Sequence, residues 1–262
     1  MRRIYGLLAA LFLVLAACGS DSAAPKAATA SSSAAPTVSG PVTVFAAASL
    51  TESFNNEKTT LQTELPGLSL TYNFAGSGTL VTQVQQGAPA DVIATADTAS
   101  MKKLSDAGLV ESPTVFAHNK LEIAVAPGNP KNITTLADLS RADLNVVLAD
   151  PSVPAGKYAA QILQSAGVTV TPKSLEADVK ATIARVTSGE ADAAIVYVTD
   201  VKAAGAKVTG VEIPDAQNAI ADYPIAIVKA TTHHDAAAAF LDAIVKGSGQ
   251  YALQTSGFLP AT

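Results

Sequence analysis

Short apolar runs alternate along the chain with stretches where apolar residues recur every three or four positions. Val42-Thr43-Val44-Phe45-Ala46-Ala47 is a run of buried-strand type. Leu50, Phe54, Leu61 and Leu65 follow at helical spacing, and Pro66-Gly67 ends that helix. Leu68 to Phe74 alternates as a second strand. Leu80, Val81 and Val84 mark a helix stopped near Gly87 and Pro89, Asp91 to Thr95 a third strand, and Met101 to Ala107 a helix closed by Gly108. The alternation then resumes. Strands are expected at 121–126, 145–149, 193–197, 208–213 and 225–228, with helices at 155–166, 178–188, 235–245 and 249–254 and a short one at 136–139.

Strands separated by helices predict parallel sheets covered on both faces. The strand count is too irregular for an eightfold barrel. Two α/β lobes joined by crossover strands fit better, with crossings near Asn119–Leu121 and Ala221–Pro224. The first lobe is then 41–120 plus 223–262, and the second is 121–222. In such sheets ligands bind beyond the carboxyl ends of strands, where helix N-termini gather.

The first residues depart from this pattern. Arg2 and Arg3 precede an apolar run, Leu7 to Ala17, of signal-peptide length and too short for a comfortable membrane span. Leu15-Ala16-Ala17 leads into Cys18, the single cysteine of the chain. Small residues before a lone cysteine in an exported chain predict cleavage of residues 1–17 and a lipid on Cys18. Residues 18–40 are mostly Ala, Ser, Thr and Pro, with too little apolar surface to offset chain entropy. They read as a tether with a reach of roughly 25 Å. An extracytoplasmic protein held at the cell membrane is expected.

Charge narrows the partners. The 262-residue chain carries 17 Lys and Arg against 22 Asp and Glu; without Arg2 and Arg3 the formal charge is −7. Nucleic acid is therefore not an expected partner. An anion ligand would need local dipoles to overcome the overall field.

Four strand-to-helix turns offer such dipoles. They are Phe45 to Leu50 around Ser49, Phe74 to Leu80 around Ser77, Asp150 to Gly156 around Ala155, and Leu175 to Val179. Tyr197 ends the 193–197 strand. Unpaired N–H groups and partial positive charge at a helix start favour anions, and Ser and Tyr hydroxyls add uncharged donors. Taken singly, Ser49 and Ser77 read more readily as helix caps; it is the four turns together that point to a site.

The same segments resemble the periplasmic molybdate-binding proteins of molybdate ABC importers. The resemblance rests on VTVFAAASLTESF, FAGSGTLVTQVQQGAPADVIATAD, DPSVPAGKYA, EADVKATIARV, AAIVYVTDV, YPIAIV and YALQTSGF, in order and spacing. It covers about Val42 to Phe258. It implies a two-lobed α/β fold of the type II periplasmic-binding-protein kind, with the ligand in the cleft between lobes. It also implies an oxyanion held without any cationic side chain. Ser49 and Ser77 would contribute hydroxyl and backbone N–H, Ala155 and Val179 backbone N–H, and Tyr197 its hydroxyl. Molybdate and tungstate are both accommodated by this implication; sulfate and phosphate are the same-fold alternatives. ABC permease subunits are the implied partners, with no cofactor, no metal beyond the bound oxyanion, and a monomeric state. An anion bridging the two lobes would favour a closed form for a permease to recognise. One departure is Gly76-Ser77-Gly78, where the family often has a serine-rich run; its flanks are expected to be more flexible.

Nothing in the sequence assembles an enzyme. The Ser77 loop lacks the G-x-S-x-G elbow and the Gly-Lys of a phosphate loop. The histidines are His118, His233 and His234, and His233-His234-Asp235 reads as a solvated loop and helix cap ahead of a metal site. Carboxylate ligands usually meet an Arg. Beyond Arg2 and Arg3 the chain has only Arg141 and Arg185, neither at a helix start. Asp91 is a candidate structural partner in its Pro-Ala-Asp turn.

Overall fold

The structure is a computed structural model that describes residues Val38 to Ala261. The expected signal segment, Cys18 and nearly all of the expected tether lie outside the described residues. In chain order the elements are β1 (Gly40–Ala47), α1 (Thr51–Glu64), β2 (Leu68–Ala75), α2 (Ser77–Gln85), β3 (Val92–Ala94), α3 (Thr98–Asp106) and β4 (Thr114–Val125). There follow β5 (Val146–Ala149), α4 (Pro154–Ser165), β6 (Ser174–Glu176), α5 (Val179–Thr187), β7 (Ala193–Tyr197), α6 (Val198–Ala204) and β8 (Thr209–Glu212). The last are β9 (Ile220–Ile227), α7 (His234–Lys246), α8 (Ser248–Ser256) and β10 (Leu259–Pro260).

The strands run β2-β1-β3-β9-β4-β7-β5-β6, with β8 and β10 also paired to β4. The long β4 changes partners part-way. Thr114 to Lys120 pair with β9, whereas Leu121 to Val125 pair with β7 and β8. Helix-linked pairs are parallel, as the alternation predicted: β1 with β2 and β3, and β5 with β6 and β7. The sheet as a whole is mixed, because β9 lies antiparallel to β3 and β4, and β4 antiparallel to β7. Between β8 and β9 the chain makes only the short 3-10 turn Asp215–Gln217, and both strands pair antiparallel to β4.

Local signals account for the elements. β1 is apolar nearly throughout because it is central and covered on both sides. α4 buries Ala155, Ala159, Ile162 and Leu163, one face of a helix. Gly108 and Gly167 follow α3 and α4 with φ of 69° and 66°, left-handed stops that a side chain would strain. Phe54 anchors the core of the first half, its ring 5.8 Å from Tyr72, 6.4 Å from Phe116 and 6.1 Å from Phe240.

The described fold takes in the last positions of the expected tether. Val38 packs on the core and Gly40 N–H donates to Gly67 O at 2.9 Å, so the last tether positions belong to the fold. Among the described residues, no helix is long and apolar enough to cross a membrane.

Candidate functional site

Register brings the four turns together. β1 and β2 are parallel with Ala47 beside Ala75, so the turns holding Ser49 and Ser77 emerge side by side. β5 and β6 are parallel with Ala149 beside Glu176, which sets the starts of α4 and α5 side by side in the same way. Tyr197 ends β7 opposite Leu121, where β4 changes partners. Ser49, Ser77, Ala155, Val179 and Tyr197 all line one cavity of about 20 Å³.

The electrostatics come from helix ends. Ser77 and Val179 are the first residues of α2 and α5, and Ala155 is the second residue of α4. N–H groups at these positions have no partner within their own helix, and each helix adds partial positive charge. Ser49 lies in the short turn between β1 and α1. All five residues are buried.

The hydroxyls are held individually. Ser77 Oγ accepts from Ala96 N–H at 3.0 Å. Ser49 Oγ lies 2.8 Å from the Tyr223 hydroxyl. The Tyr197 hydroxyl is buried and finds no hydrogen-bond partner of acceptable geometry among the described residues. Burial, reinforced by Tyr223, Tyr158 and Asp200, pushes the Tyr197 phenol well above its ordinary pKa, so it stays a neutral donor.

No Lys, Arg or His lines the cavity. One carboxylate does reach the lining, Asp178, which the sequence reading left out of the site. It is turned onto its own helix, where Oδ1 accepts from Ala181 N–H at 2.9 Å as the cap of α5. The arrangement offers hydroxyl and N–H donors and can satisfy an anion that has no proton of its own to place.

Three features escaped the sequence reading. A Cβ on Gly76 would sit 2.9 Å from Ala177 O and 3.3 Å from Val153 Cγ1, so this glycine permits close approach where added flexibility had been expected. Tyr223, in β9, stands behind Ser49. Two ion pairs flank the cavity, Lys157 with Asp97 at 3.4 Å and Lys180 with Glu52. All three depend on contacts between residues distant in sequence, and local spacing carries no trace of them.

The histidines turn elsewhere. His233 Nδ1 lies 3.1 Å from Asp91 Oδ1, His234 Nε2 lies 2.9 Å from Glu111, and His118 Nδ1 lies 2.8 Å from Asp222. Two adjacent histidines thus face two different carboxylates, and no metal-binding cluster occurs among the described residues. Asp91 also accepts from Thr43 N–H at 2.7 Å and from the Thr231 hydroxyl, the structural role its turn predicted.

Comparison with known proteins agrees with this architecture. The family profile described as bacterial extracellular solute-binding protein matches residues 42–259. The chain is 41% identical over 256 residues to the molybdate-binding protein ModA of Mycobacterium tuberculosis (strain H37Rv), covering 97% of this chain and 96% of that protein. It is 35% identical over 207 residues to molybdate-binding protein ModA of Escherichia coli (strain K12), covering 72% and 78%. The periplasmic molybdate-binding protein of Azotobacter vinelandii shares the fold with a TM-score of 0.76 at 18% identity, over 84% of this chain and all of that one. The sulfate-binding protein SubI of Mycobacterium tuberculosis does so with a TM-score of 0.77 at 21% identity, over 84% and 87%. The chain therefore has the mixed α/β fold of periplasmic binding proteins and belongs to the bacterial extracellular solute-binding protein family, among its ModA members.

Proposed function

We propose that this protein captures molybdate outside the cytoplasm and delivers it to an ABC importer, with Ser49, Ser77, Ala155, Val179 and Tyr197 as the ligands. The observation that carries the reading is the cavity itself: donors from three helix starts and three hydroxyls, with no cationic side chain. Such a lining favours a fully ionised tetrahedral dianion. A protonated phosphate would need an acceptor as well. Each charge-assisted hydrogen bond contributes about 1.5–3 kcal/mol, so several in a dry site support binding tighter than micromolar. Tungstate carries the same charge on the same shape, and we expect it to bind in the same place.

Residues 41–120 with 223–262 form one lobe in this reading and 121–222 the other, hinged where β4 and β9 pass between them. Ser49 and Ser77 belong to the first lobe, and the other three ligands to the second. An anion joined to both sets stabilises the closed form that permease subunits recognise. Lipid on Cys18 keeps the protein at the membrane beside them. Calorimetric titration with molybdate, tungstate, sulfate and phosphate tests the ligand: tight binding of the first two is expected, and preference for sulfate or phosphate overturns it. Small-angle scattering should show compaction on adding molybdate. Recovery of a Cys18→Ala chain in the membrane fraction would refute the anchor.

A further inference from the structure

Each serine of the site has a second buried polar group behind it. For Ser77 that group is the Ala96 N–H, 3.0 Å from Oγ. An N–H can only donate. The oxygen of Ser77 is thereby engaged as an acceptor, and its single proton is free for the cavity it lines.

For Ser49 the group is the Tyr223 hydroxyl, 2.8 Å away, and either atom can be the donor. The two directions have opposite consequences. If Ser49 donates to Tyr223, Ser49 turns lone pairs toward the cavity, which repel an anion. If Tyr223 donates to Ser49, the Ser49 proton is left for the ligand. Tyr223 is well placed to act as a fixed donor. It is fully buried in β9, and its ring is clamped edge-on between Tyr197 at 6.0 Å and Phe258 at 5.1 Å. Burial also raises its phenol far above the ordinary range, which keeps the proton in place at any working pH.

We propose that Tyr223 is a positioning residue of the oxyanion site, whose phenol donates to Ser49 Oγ and so commits the Ser49 proton to the ligand. The proposal rests on the reading of the cavity as an oxyanion site. Ala96 N–H and Tyr223 O–H then play the same part for the two serines. Both hydroxyls are locked as donors, and the site gains selectivity against oxyanions that carry a proton. A hydroxyl free to rotate can accept as well as donate. One locked as a donor offers nothing to the P–OH of hydrogen phosphate.

The test is calorimetric titration of the purified chain and its Tyr223→Phe variant with molybdate and with inorganic phosphate at pH 8. Phenylalanine keeps the ring packing, so the melting temperature is expected to stay close to that of the unmutated chain. Molybdate affinity should fall by about tenfold, the scale of one hydrogen bond. Phosphate affinity should hold or rise, so the preference for molybdate narrows by at least that factor. Equal weakening toward both anions would mean only a loosened cavity, and would overturn the proposal, as would an unchanged preference. Tyr223→Phe is next added to Ser49→Ala. If Tyr223 acts through Ser49, the double variant binds molybdate as Ser49→Ala alone does. A further loss beyond that of Ser49→Ala overturns the proposal. Failure of the unmutated chain to bind molybdate would instead remove the oxyanion reading on which it stands.

Discussion

Lys180 Nζ lies 2.9 Å from Oδ1 of Asp200, a carboxylate whose side chain has no solvent exposure. The other carboxylate oxygen accepts from Tyr197 N–H at 3.2 Å, so this buried ion pair fixes the end of β7 where Tyr197 enters the cavity. Lys180 also pairs with Glu52 on α1. Burial raises the Asp200 pKa, and Lys180 only partly offsets it. Removing the lysine therefore leaves a buried charge uncompensated. Lys180→Met should cost about 3–5 kcal/mol in urea unfolding at pH 7. Asp200→Asn in the same chain should recover part of the loss. Equal stability of Lys180→Met and the unmutated chain would show that the pair does not carry that burden.

Ser77→Ala removes a hydroxyl from the cavity and also leaves the Ala96 N–H without its acceptor. Molybdate binding should weaken by about 1–3 kcal/mol, the cost of a lost donor to a buried charge. Calorimetry reads this directly, and an unchanged affinity would take Ser77 out of the site.

Much of this arrangement was legible in the sequence, for identifiable reasons. Runs such as Val42–Ala47, apolar but for Thr43, and Ala193–Tyr197, apolar throughout, reflect strands inside the sheet, and they stand out without any tertiary knowledge. Turns carrying Ser49, Ser77, Ala155 and Val179 were visible as small residues between a strand and a helix, and strand register then set them side by side. The first half of β4 was not legible. Pro113 precedes it, and His118-Asn119-Lys120 interrupt its apolar pattern because that segment passes between the two halves of the sheet. β6 is three residues long, with Leu175 exposed, so it carries no periodic signal. α6 follows β7 with no turn residue between them, and the boundary falls at Tyr197 inside a continuous apolar run. Tyr223 and Gly76 owe their roles to partners 174 and about a hundred residues away, contacts that only folding creates.

Asp91 clamps two segments to its own turn, β1 through Thr43 N–H at 2.7 Å and the 231–233 loop through the Thr231 hydroxyl and His233 at 3.1 Å. Burial alone would raise its pKa, but the hydrogen bonds from Thr231, Thr43 and His233 outweigh it and hold the carboxyl below its ordinary 3.8. A depressed carboxylate stabilises the fold above its unfolded pKa and loses that contribution as pH falls through the lower folded value. Asp91→Asn should therefore cost about 1–3 kcal/mol at pH 7. The cost should begin to shrink as the pH falls to about 3.8, where the unfolded carboxyl takes up its proton, and should level off only once the pH has passed below the lower folded value, where the native carboxyl is neutral too. Urea unfolding across that range checks the sign; a cost independent of pH would mean that charge at Asp91 is irrelevant.

Gly76 and Gly78 flank the same serine but should respond differently to a methyl group. At Gly76 a Cβ would meet Ala177 O at 2.9 Å and Val153 Cγ1 at 3.3 Å, both beside the starts of α4 and α5. One of these neighbours is backbone and cannot swing aside, so Gly76→Ala must push the Ser77 turn away from Ala155 and Val179. Overpacking of this kind costs about 1–3 kcal/mol. Because the cost falls on the approach that forms the cavity, it should appear mainly as weaker molybdate binding. At Gly78 a Cβ would meet only Ser152 O, at 3.9 Å, an ordinary contact. Gly78 lies inside α2, where alanine is favoured over glycine by about 0.5–1 kcal/mol, so Gly78→Ala should bind as before and melt at a higher temperature. Calorimetry and thermal unfolding of the two variants separate space from flexibility. Equal loss of affinity in both would mean that the loop works through flexibility, and the close approach at Gly76 would not be its reason for being glycine.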